Sequence, residues 1–227
     1  MKSLKNRYAM IAGSSIILMA IVAGFSYGYA HKQLISTIDP EYIGEKLGLT
    51  QSLLISEVWG WIIVFFCDLL AAWCLYHYFK DVDGKISKVT AIIRLIYTII
   101  LGWAICHIID IFPLLSNVND SGKIQITEIT KHINQFEEIW SGGLMIFGMH
   151  LLGLGYLSYL SQVVPRIWGI LLIFAGLCYS SLHLAKATLH GYDQLLVNIE
   201  MILSLPMAIS EIGLAFWLII KGRKAMI

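Results

Sequence analysis

The sequence predicts an all-α fold, an integral membrane bundle of six transmembrane helices. Three observations carry this. Of the 227 residues, 58% are hydrophobic and only 14% are charged, where an average soluble domain is about 25% charged. The mean hydropathy is +0.74. The apolar residues also gather into six runs, each long enough to cross a hydrocarbon core about 30 Å thick with about 20 residues. A closed barrel is the other backbone arrangement lipid permits, but it needs short alternating strands, and these runs are long and continuous. The composition excludes a disordered chain and argues against a soluble globular one. A formal charge of +1, from 16 basic and 15 acidic side chains, points to no polyanionic partner and hence no nucleic acid.

The expected spans, in order, are residues 8–30, 54–79, 89–115, 139–160, 166–189 and 199–220, and together they read as one domain over residues 1–227. The first has a basic start, an apolar run and small residues at Gly28 and Ala30. These also fit a cleaved signal peptide, but the run exceeds the usual 7–15 residues. Gly24 and Gly28 in that span have the four-residue spacing of a helix-dimerisation face. Homo-oligomerisation through them, and close packing within the chain, are both open readings.

Orientation follows from Lys and Arg in the loops. The N-terminal tail, the second loop, the fourth loop and the C-terminal tail together carry ten of them, and the other side carries five spread over longer loops. Both ends are therefore expected in the cytoplasm of a cell membrane. The two long outer loops hold helical-period apolar residues, loosely from Tyr42 to Leu53 and clearly at Ile126, Ile129, Ile133, Phe136 and Trp140. Each reads as a short amphipathic helix on the membrane surface or capping the bundle. Cys67, Cys74, Cys106 and Cys178 all fall inside spans, with no metal-type spacing. No disulfide, metal or cofactor is expected from them.

Ionisable groups inside spans are costly and are candidate sites. At a rise of about 1.5 Å per residue, Asp68, His150 and Glu211 lie about 14–16 Å deep, near the midplane. Arg94 is about 8 Å deep, with a side chain able to snorkel down or reach up toward the acids. These four form the expected buried polar cluster, each on a face that also carries small residues or threonines. A second, outer cluster of His107, Asp110 and His183 offers the residue types of a metal site or proton relay. Contact with the water interface, or structural pairing, is its plainer reading. Arg94 and Asp110 are about 160° apart around their helix, so the two sets face different neighbours. Pro206, five residues before Glu211, removes a backbone donor and fits either a kink that opens a cavity or a tolerated bend.

Four stretches carry a resemblance: HLLGLGYLSYLSQVVPRIWGILLIFAGLCY (150–179), EIGLAFWLIIKG (211–222), the early YAMIAG, and the third-span IIRLIYTIILG. Together they resemble the bacterial multi-pass membrane proteins of domain-of-unknown-function family 4386. The resemblance implies a six-helix bundle and supplies no activity. Asp68, Arg94, His150, Pro165, Arg166 and Glu211 match its polar pattern; His107, Asp110 and His183 do not. The expected function is a non-catalytic membrane protein. The alternatives are a small-solute or proton-coupled transporter, and an intramembrane enzyme using His150 with an acid as base.

Overall fold

The computed structural model describes residues 2–38, 43–116, 122–189 and 191–222. Helices occupy nearly all of them: α1 (Lys2–Phe25), a π-helical turn (Ser26–His31), α2 (Lys32–Thr37), α3 (Ile43–Phe79), α4 (Gly84–Ile109), α5 (Ile111–Ser116), α6 (Gly122–Leu160), α7 (Arg166–Thr188) and α8 (Asp193–Ile220). Six stretches are long and apolar enough to cross a membrane: Leu4–Thr37, Leu47–Phe79, Gly84–Leu115, Gln125–Leu160, Arg166–Thr188 and Asp193–Ile220. In lipid the backbone must satisfy its own hydrogen bonds, and an unbroken helix does so. Many large apolar side chains point outward from mid-helix, among them Ile99, Trp103, Met201, Ile202 and Leu205, each more than 60% exposed. Water would not tolerate that much apolar surface on a monomer; acyl chains do.

Tyr42 lies outside the described residues; the described parts of the two amphipathic outer stretches are helical, and both continue without a break into the long apolar helix that follows. Residues 122–138 form the first part of the 39-residue α6, with Ile129, Ile133 and Phe136 buried. The 37-residue α3 likewise begins at Ile43. Pro206 lies inside α8, which remains helical through it.

The described residues fall into two compact units. The first draws on Met1–Ala20, Cys67–Ile99 and Ser141–Ile227, and the second on Ile21–Phe66 and Ile100–Trp140.

In the first unit, small residues set the helix contacts, as expected where lipid gives no hydrophobic drive to helix association. A Cβ on Gly148 would lie 2.7 Å from the carbonyl oxygen of Gly176, and one on Gly155 2.8 Å from that of Gly169. The two pairs match α6 to an antiparallel α7 at seven-residue intervals. Gly13 meets the Ala215 backbone in the same way, and Gly213 meets the Trp168 ring. Between α7 and α8 lies an open apolar groove of about 370 Å³, walled by residues such as Phe174, Leu177, Leu182 and Leu203. Lys186 crosses from α7 to pair with Glu200 on α8 at 2.5 Å.

Turns in this unit are chemically marked. The Asp83 carboxylate accepts from the backbone N–H groups of Lys85 and Ile86 at 3.0 and 2.9 Å and so caps α4. Ser161 accepts from Val163 and Val164, and Pro165 leads into α7. Lys5 pairs with Asp81 at the α3–α4 turn and holds its carboxyl below the usual range, chiefly through their hydrogen bond. This exposed pair contributes little. What it contributes is present at neutral pH and fades as pH falls through the depressed value.

Candidate functional site

The first unit brings Asp68, Arg94 and His150 together. Their exposures are 0%, 0% and 1%. Arg94 Nη2 lies 2.5 Å from Asp68 Oδ1, so the guanidinium reaches inward to the acid instead of snorkelling. Its Nη1 lies 3.1 Å from His150 Nε2, and His150 Nδ1 lies 2.9 Å from the Thr90 carbonyl oxygen. These contacts fix the tautomer. Guanidinium only donates, so Nε2 accepts; a carbonyl only accepts, so Nδ1 carries the proton. The ring is thus neutral and both nitrogens are engaged.

Further groups complete the arginine's surroundings. Nη2 also approaches Met19 Sδ at 3.6 Å, and the guanidinium carbon lies 5.3 Å from the centre of the Phe147 ring, a cation–π contact. Thr98 donates to the Arg94 carbonyl at 2.9 Å. A Cβ on Gly153 would collide with Thr90, so this glycine lets α6 lie close enough to α4 for His150 to reach the Thr90 carbonyl. Glu211, half-buried on α8, interacts electrostatically with Arg94 and Asp68. Asp68 Oδ1 is held by the Arg94 guanidinium, while among the described residues Asp68 Oδ2 and Arg94 Nε have no hydrogen-bond partner. Beside His150 is a cavity of about 10 Å³, lined by residues including Ala72, Tyr76, Thr90 and Leu154, with room for about one water.

The outer set divides. His107 and Asp110 belong to the second unit, and the histidine beside them is His132, its Nδ1 3.4 Å from His107 Nδ1. His183 belongs to the first unit. There its Nδ1 lies 2.8 Å from Ser141 Oγ and its ring stacks on Tyr179. His132 escapes sequence reasoning because residues 122–138 read as a surface helix separate from the spans.

The second unit also holds a group that the sequence reading passed over. His31 Nδ1 lies 2.7 Å from Glu57 Oε1 and its Nε2 3.3 Å from Glu137 Oε1. Trp61 Nε1 donates to the same Glu57 oxygen at 3.3 Å. Tyr27, Trp61, Phe136 and Trp140 pack around them. An imidazole facing a carboxylate on each side is in the setting that suits two N–H donors. Two features hid the group. His31 lies one residue past the expected end of the first span, and the π-helical turn carries it on into a buried position. Glu57 lies inside the expected second span, where an acid in an apolar run was a sufficient signal.

The fold is therefore that of a multi-pass, all-α chain with six helices of membrane-crossing length and hydropathy, and with charged groups sequestered among them. The family described as "Domain of unknown function (DUF4386)" matches residues 11–222, and the chain belongs to it. It is also similar to an uncharacterized protein of Archaeoglobus fulgidus, 28% identical over 170 residues that make up 75% of this chain and 86% of the relative. That relative is archaeal, so family membership carries no bacterial assignment. No solved structure matches the chain.

Proposed function

We propose that the protein is a non-catalytic multi-pass component of a bacterial cell membrane, and that Asp68, Arg94, His150 and the nearby Glu211 form a structural lock between its helices. One observation carries this reading. The only basic lone pair of His150 is already taken by Arg94, a permanent cation, so the ring has nothing left with which to abstract a proton. The one-water cavity beside it is too small for an organic substrate.

The second reading, a proton-coupled or small-solute carrier, draws on Asp68 Oδ2 and Arg94 Nε, which have no hydrogen-bond partner among the described residues. Reconstitution in vesicles carrying a pH gradient separates the two. We expect the wild-type protein to dissipate the gradient no faster than protein-free vesicles, and Asp68→Asn to lower thermal stability and cellular abundance. A proton flux in the wild type that a folded Asp68→Asn protein lacks would overturn the lock in favour of the carrier.

Both chain ends are assigned to the cytoplasm on the Lys and Arg asymmetry of the loops. A homodimer through Gly24 and Gly28 is part of the same reading. Both glycines are exposed, and among the described residues a Cβ on either would meet nothing within 4 Å, which supports an interface over packing inside the chain. Crosslinked dimer is expected in membranes from the wild type and not from Gly24→Leu. Undiminished crosslinking in the variant would remove these glycines from the interface.

A further inference from the structure

We propose that His107, Asp110 and His132 form a binding site for a divalent transition metal that favours imidazole, of which zinc is the type. This is independent of the structural lock and lies wholly within the second unit. His107 and Asp110 are three residues apart at the C-terminal end of α4, and His132 faces them from α6. One ligand atom from each residue lies within 4.8 Å of the other two.

The spacing of the two imidazoles favours a shared ion over a shared proton. The separation of 3.4 Å between the two Nδ1 atoms is long beside the usual N–H···O distance of about 2.9–3.0 Å. Two nitrogens bound tetrahedrally to one zinc at 2.0–2.1 Å stand about 3.4 Å apart. Nor is the contact a stacking one, since the rings are inclined at 42° with centres 5.6 Å apart.

The third residue supplies charge. Asp110 is exposed and, among the described residues, makes no ion pair. Its carboxylate lies within reach of an ion held by the two imidazoles. Two neutral imidazoles and one carboxylate make a set suited to a borderline cation and poor for magnesium or calcium, which prefer all-oxygen shells. Three protein ligands leave the fourth tetrahedral position to water.

The test uses the full chain, purified in detergent without a polyhistidine tag and stripped with chelator. Zinc is titrated calorimetrically, and cobalt replaces it for absorption spectroscopy. The proposal expects one zinc per chain and visible cobalt bands of tetrahedral intensity. Loss of even a supporting group commonly costs a metal site about 10–100-fold in affinity, so Asp110→Asn and His132→Gln should each weaken zinc by at least about tenfold. His183→Gln should leave binding unchanged. Apo-protein melting temperatures confirm that each variant folds. If His132→Gln does not fold, the exposed Asp110→Asn decides alone. No zinc binding by the wild type, or wild-type affinity in folded Asp110→Asn or His132→Gln, would overturn the site.

Discussion

Replacing Asp68 with alanine is expected to destabilise the protein by about 3–5 kcal/mol, the usual cost of stranding one member of a buried ion pair. Arg94 is fully buried, and its guanidinium lies against Asp68 on one side and His150 on another. Without the acid, a permanent cation is left deep among apolar helices. Arg94→Met strands the carboxylate instead and should cost a similar amount. The double variant Asp68→Leu/Arg94→Met removes both charges, and buried pairs replaced by apolar groups of similar volume are often neutral or better. It should therefore be more stable than either single variant. Unfolding in mixed micelles measures all three. Single-variant losses below about 1 kcal/mol, the range of an exposed pair, would show that the network does not hold the helices together.

Gly148→Ala is expected to destabilise by about 1–3 kcal/mol, the usual penalty of overpacking, and Gly148→Leu by more. The added Cβ would stand 2.7 Å from the Gly176 carbonyl oxygen and the Ser180 nitrogen. Both are backbone atoms of α7, so relief requires moving a helix and not a side chain. Gly142→Ala, in the same helix, is the matched control. Among the described residues its Cβ meets nothing within 4 Å, and exchanging glycine for alanine within a helix gains about 1 kcal/mol. Opposite signs at the two sites are the expected result, read from unfolding midpoints. Equal effects would mean that helix propensity, and not α6–α7 contact, governs these glycines.

The long helices were legible because hydropathy and length act on each separately, and six helices long and apolar enough to cross a membrane are present. Asp68, Arg94, His150 and Glu211 stood out for a similar reason, since a charge in an apolar run needs no neighbour to be noticed. Pairing was not legible. A sequence gives the face a side chain occupies, not the helix that covers it, so Arg94 was free to turn either way until Asp68 and His150 were placed beside it. His183 and His132 show the same limit. Both lie within helices, and which one joins His107 depends on α6 continuing unbroken from residue 122. His31 was hidden by a local event, the π-helical turn that carries the helix past the point where hydropathy falls.

The turn between α3 and α4 has a consequence for how the chain enters a bilayer. Asp68 and Arg94 sit on consecutive helices joined by residues 80–83, with α4 capped from within the turn by Asp83. An aspartate or arginine at the centre of a lone inserting helix costs about 2.5–3.5 kcal/mol. If the two helices enter together as one hairpin, the acid and the cation can meet before either faces lipid alone, so the hairpin, not the single helix, is the expected unit of insertion.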